Sequence, residues 1–172
     1  RKAAPVKTRG LPGRPKLPEG RSTESKARAA EPKEPRKRVL PKREDGPSVA
    51  SEAARALAIQ VATAALDKKA MGLEIIDVAG RIDYADFLIL MTGRSDRHVV
   101  ALAQGIEDAL SKVGKRPLST EGLPHARWVL MDFGDVVVHV LQEEARGTYD
   151  LDGLWIDARR IPVPQTPDNA PN

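Results

Sequence analysis

From Ser48 onward, apolar residues recur in two rhythms that predict alternating helices and strands. Leu57, Val61 and Ala65 share one stripe of an Ala-rich stretch, which predicts a helix running to about Lys69. Ser48 or Ser51 supplies its cap, and Met71-Gly72 ends it. Leu73–Val78 then reads as a strand, 79–85 as a loop and Asp86–Met91 as a second strand. The unbroken run Phe87-Leu88-Ile89-Leu90-Met91 fits a central strand buried on both faces. Thr92-Gly93-Arg94 turns the chain, and Ser95 caps a helix whose stripe is Val99, Leu102, Ile106, Leu110 and Val113. Asp96 in its first turn suits the helix dipole, and Gly114 closes it at the C′ position.

Beyond Gly114 the apolar segments shorten. Pro117–Thr120 is a candidate edge strand, and Trp128–Phe133 with Asp135–Leu141 predicts a hairpin whose turn holds Gly134. A short helix is expected over 150–156, with Leu151, Leu154 and Trp155 on one face and Arg146 and Tyr149 at its entrance. Pro162, Pro164, Pro167 and Pro171 mark a frayed tail. The order predicts an α/β fold, a mixed β-sheet flanked by helices. Apolar strands outnumber the helices available to cover them, so a protein partner or second subunit is expected to cover part of one sheet face.

Charge separates this body from what precedes it. Residues 1–47 hold 15 Lys/Arg against 6 Asp/Glu, a net of +9, whereas 48–172 carry a net of −5. The first segment has eight prolines, no aromatics and few large apolar residues, so it is expected to be a disordered basic arm. The ordered domain is expected over 48–163 and a disordered tail over 164–172. Arg36, Lys37, Arg38, Lys42 and Arg43 are the arm's densest basic positions, suited to phosphate contacts with RNA through counterion release. A solvated, solubilising tail is the plainer reading of the same composition.

The chain has no cysteine, which removes disulfides, thiolate nucleophiles and Cys-based metal sites and fits a reducing compartment. No apolar run approaches the roughly 20 residues that span a bilayer, and no stretch resembles a signal peptide. The acids and prolines of the arm argue against the amphipathic helix of an organelle transit peptide.

Candidate chemistry is thin. Asp132-Phe133-Gly134 spells a kinase metal motif, but neither a Gly-rich phosphate loop nor a His-Arg-Asp accompanies it, so it reads as a hairpin turn. Gly93-Arg94-Ser95 at a strand-to-helix junction, with Asp132 and Asp135 as magnesium ligands, would suit nucleotidyl transfer. Ser95 is already explained as a cap, however, and Asp135 as a turn residue. His98, His125 and His139 show no metal-ligand spacing, so no metal and no cofactor are expected. Four of the six aromatics, Trp128, Phe133, Tyr149 and Trp155, lie between 128 and 155. Together with Arg146 they are residue types that dominate interface energetics. The expected site is therefore a protein-binding face comprising Trp128, Asp132, Asp135, His139, Arg146, Tyr149, Asp150, Leu151, Leu154 and Trp155.

These residues also carry a resemblance. Asp67-Lys68-Lys69-Ala70, Asp86-Phe87-Leu88-Ile89, Thr92-Gly93-Arg94-Ser95-Asp96-Arg97-His98 and Glu121-Gly122 occur in order. Trp128 through Val140, Arg146-x-x-Tyr149-Asp150-Leu151 and Leu154-Trp155 follow. From about Ser51 to Val163 the chain resembles the ribosomal silencing factor (Iojap-like) family. The resemblance implies a nucleotidyltransferase-like topology without catalysis, commonly a homodimer in isolation. It implies binding to the L-fourteen protein of the large ribosomal subunit, which blocks subunit joining and represses translation when nutrients fail. It also implies the bacterial cytoplasm, with mitochondrion or chloroplast as the alternative, and no membrane partner. Gly147-Thr148 and Asp152-Gly153 depart from the family's usual residues. Gly153 is expected to weaken its short helix by about 1 kcal/mol relative to Ala, so that the helix orders fully on binding.

Overall fold

The computed structural model describes residues 47–165. The expected arm, including Arg36, Lys37, Arg38, Lys42 and Arg43, lies outside them apart from Pro47, as does the tail beyond Gln165. Helix α1 spans Glu52–Asp67, and the Ser51 hydroxyl accepts a hydrogen bond from the Ala54 amide as its N-cap. Strands β1 (Met71–Asp77) and β2 (Phe87–Gly93) follow, then helix α2 (Asp96–Ser111), capped by Ser95. Strands β3 (Ser119–Glu121), β4 (Trp128–Asp132) and β5 (Val136–Gln142) complete the larger part of the sheet. Two short helices, α3 (Glu143–Tyr149) and α4 (Leu151–Leu154), precede a last strand, β6 (Arg159–Ile161).

The six strands order as β3-β4-β5-β2-β1-β6. Only β2 and β5 run parallel, joined by a connection that carries α2, β3 and β4; the other pairs are antiparallel. The expected α/β class with a mixed sheet is therefore what forms. β2 lies inside the sheet and every one of its residues is buried, as its unbroken apolar run required.

The period-2 alternation of the strands sorts their side chains into two cores. On one face Ile75, Phe87, Ile89, Met91, Val129, Met131, Val138 and Val140 pack with Val61 and Ala65 of α1 and Leu102, Ile106 and Leu110 of α2. Small alanines on α1 let it seat closely, and the α2 stripe repeats at three- and four-residue steps as read from sequence. The opposite face is smaller: Ile76, Leu88, Leu90 and Val137 pack with Val78, Ala85 and Ala158, with Leu130, Leu151 and Trp155 partly buried against them. Both long helices thus lie on one side, and the short C-terminal helices and loops cover only part of the other.

Two elements differ from expectation. Residues 143–149 form a helix rather than an approach to one, and Arg159–Ile161 adds a strand that the pattern did not predict. The expected helix over 150–156 is the single turn Leu151–Leu154. The Gly114 positive φ (+74) also falls one residue beyond C′, because Lys112 is the cap residue.

Candidate protein-docking site

The centre of the site is an aromatic contact between β4 and α3. The rings of Trp128 and Tyr149 lie 4.6 Å apart, centroid to centroid, at a tilted 44°. Trp128 donates through Nε1 to Nδ1 of His139 at 3.1 Å, and their rings lie 5.7 Å apart. Accepting at Nδ1 fixes the neutral imidazole with its proton on Nε2. Burial pushes the His139 pKa down to about 4. Leu130 stands opposite His139 in the β4–β5 register and is half-buried, whereas Tyr149 is 52% exposed. Trp128 is thus half-buried beside Leu130, with its donor satisfied by His139.

Arg146 holds this arrangement in place. Its Nε and Nη2 donate to the two carboxylate oxygens of Asp152 at 2.9 and 2.8 Å, a two-pronged pairing that suits the planar guanidinium. Its Nη1 donates to the Gly72 carbonyl at 2.6 Å and to the buried Thr92 hydroxyl at 3.1 Å. Glu74 completes the cluster, 4.0 Å from Arg146 and 3.4 Å from Arg160. Hydrogen bonding by Asp152 raises the pKa of Arg146, and the same contact lowers that of Asp152. One side chain thus ties α3 to α4, β1 and β2. Since Tyr149 lies three residues on along α3, the clasp also sets where its ring sits.

Several expected contact residues have other work. Arg146 is committed to the fold, and His139 is 8% exposed. Leu151 and Trp155 face inward on the smaller core, whereas Leu154 is 47% exposed, so the three do not form one outward face. Asp150 sits in the left-handed region (φ +44) between α3 and α4, and its carboxylate caps α4 by accepting from the Gly153 amide at 3.0 Å. A Cβ on Gly153 would lie 2.3 Å from an oxygen of that carboxylate, so a side chain there would displace the cap.

The two aspartates of the transferase reading lie elsewhere. Asp132 accepts from the Gly134 amide at 2.8 Å within the hairpin turn, and the Asp135 carbonyl accepts from Asp86 and Phe87 at the start of β2. Ser95 follows the other end of β2 and spends its hydroxyl on the His98 amide. Seven residues of strand, about 20 Å, separate the two ends, so Ser95, Asp132 and Asp135 do not make one site. Among the described residues no cluster of His, Cys, Asp and Glu is arranged to hold a metal ion. No helix among them is long and apolar enough to cross a membrane.

Sequence reasoning missed the partners that complete the clasp, Gly72, Glu74 and Thr92. Nothing in the local sequence marks them, because β1, β2 and α3 are brought together only by sheet pairing.

Comparison with known proteins agrees with this architecture. A family model described as "Ribosomal silencing factor during starvation" matches residues 51–172. The ribosomal silencing factor of Bacillus subtilis is 41% identical over 101 residues, covering 58% of this chain and 86% of that protein. A mitochondrial Iojap-related protein of Arabidopsis thaliana is 35% identical over 94 residues, covering 52% of this chain and 50% of that one. A crystal structure of a Chromobacterium violaceum protein superposes with a TM-score of 0.58 at 30% identity, covering 69% of this chain and 93% of that one. One from Bacillus halodurans gives 0.55 at 32% identity, over 66% and 100% respectively. The motifs from Asp67 to Trp155, the mixed sheet they build and the match over most of the chain place it in the ribosomal silencing factor family.

Proposed function

We propose that this protein docks on the L-fourteen protein of the large ribosomal subunit and blocks subunit joining by its bulk, repressing translation under nutrient limitation. The observation that carries the docking face is the pairing of exposed Tyr149 with half-buried Trp128 on the less covered face of the sheet, beside half-buried Leu130. Tyr149 and Trp128 offer large contact area with few rotatable bonds, the hallmark of residues that carry binding energy. Leu154, Asp150 and the exposed acids Glu143 and Glu144 form the rim, and the net −5 of residues 48–172 favours a basic partner surface. No bond is made or broken. The free protein pairs as a homodimer, and the basic arm adds phosphate contacts to rRNA. The domain that docks is 48–163, in the bacterial cytoplasm or an organelle matrix.

Replacing Tyr149 by Ala should weaken binding to isolated L-fourteen protein about 10- to 100-fold, the usual loss at a central aromatic. Calorimetric titration reads this directly. Unchanged affinity would remove the aromatic pair from the interface.

A further inference from the structure

Two motifs remain unused by the aromatic face: Asp67-Lys68-Lys69-Ala70 and Gly93-Arg94-Ser95-Asp96-Arg97-His98. They are separated by 22 residues in sequence, and the fold joins them. His98 accepts at Nδ1 from the Arg94 amide at 3.0 Å, and its Nε2 meets the Lys68 carbonyl at 2.8 Å. The imidazole thereby bolts the end of α1 to the start of α2. Arg94 reaches back through Nε to the sulfur of Met71 at 3.4 Å. Gly105 is buried beneath the Lys68 stem, so close that a Cβ there would lie 2.6 Å from Lys68 Cγ. The stem is therefore laid along α2 over a glycine slot.

The result is a cluster of exposed cations, Lys68, Lys69, Arg94 and Arg97, with Asp67 and Asp96 as the nearby acids in sequence. It stands out on a domain whose residues 48–172 are net negative. Register fixes where it lies. Thr92 pairs with Leu141, and Leu141 pairs with Trp128, so the cluster and the aromatic pair share one end of the sheet. Arg146 reinforces the proximity, because it bonds Thr92 and Gly72 from the helix that carries Tyr149.

We propose that Lys68, Arg94 and Arg97 form a second contact surface that takes the phosphodiester backbone of RNA beside the protein-docking face. A ribosomal surface presents protein and RNA side by side, so adjoining aromatic and cationic patches match it chemically. The inference rests on the docking reading for its location, but not for its chemistry. Exposed cations on a rigid frame read phosphates without base specificity, and no aromatic need stack on a base.

The test uses the full-length chain with Lys68→Gln, Arg94→Gln and Arg97→Gln combined, its melting curve first compared with wild type. Binding to an RNA duplex of about 20 base pairs is measured across salt, since each phosphate contact adds about 0.9 to the slope of log K against log salt. The variant should lose close to three units of slope. The affinity drop between about 50 and 200 mM salt should then shrink by roughly 40-fold. Binding to isolated L-fourteen protein should stay within about 2-fold of wild type. An unchanged slope overturns the proposal. So does an equal loss on the isolated protein, which would make the cluster a protein contact. If wild type fails to bind large subunits while the slope loss on RNA persists, the docking reading falls and the RNA surface stands.

Discussion

At the scale of single residues, His139 links the docking face to stability. Its imidazole titrates near 6.5 when unfolded and near 4 in place, because burial disfavours the charged ring. Between those values the unfolded chain binds more protons, so stability is full above about pH 6.5 and falls as pH drops toward 4. The loss over that window is roughly 3 kcal/mol. Denaturant titrations at pH 7 and pH 4.5 should show it, and His139→Gln should flatten that pH dependence. A second residue-scale prediction concerns Gly122, whose φ is +96 and whose added Cβ would lie 1.9 Å from the Trp128 carbonyl. Gly122→Ala should cost at least about 2 kcal/mol, with a fall in Tm of several degrees. The role of Gly122 was not legible in sequence. Glu121-Gly122 was visible only as a matched pair, while the close approach arises from β3 folding back on β4.

At the scale of elements, legibility follows the source of each element's stability. α2 could be read because burial of Val99, Leu102, Ile106 and Leu110 repeats with the helical period. β2 could be read because it is apolar throughout. α3 could not, since Glu143-Glu144-Ala145-Arg146-Gly147-Thr148-Tyr149 has no apolar stripe and contains a glycine. A guanidinium clasp with distant partners holds it instead. β6 is three residues long and followed at once by Pro162, and its pairing with β1 is its signal. Arg146→Lys keeps the charge but loses the fork that grips both Asp152 oxygens. It should loosen α3 and α4, seen as faster amide exchange there, and lower Tm by a few degrees while weakening L-fourteen binding. Tyr149→Ala, by contrast, should weaken binding with Tm nearly unchanged, since that side chain is 52% exposed. Equal effects on Tm and affinity from both variants would contradict the division into clasp and contact.

For the whole molecule, the sequence showed a mixed α/β sheet with both long helices predicted and one face under-covered. It left open which residues stay exposed once α3 and α4 are in place. Of the ten expected site residues, Tyr149 and Leu154 are exposed, His139 is buried, Arg146 is bonded to Asp152, and Leu151 and Trp155 pack against the smaller core. If the arm adds only phosphate contacts, as proposed, deleting residues 1–47 should flatten the salt dependence of large-subunit binding without abolishing it. A slope that stays unchanged would make the arm a solubilising tail.

The central claim is steric silencing, and subunit joining tests it most directly. Purified small and large ribosomal subunits are sedimented under joining conditions with and without this protein. The account predicts co-migration with the large subunit and loss of joined ribosomes. Normal joining, with the protein left at the top of the gradient, would contradict it.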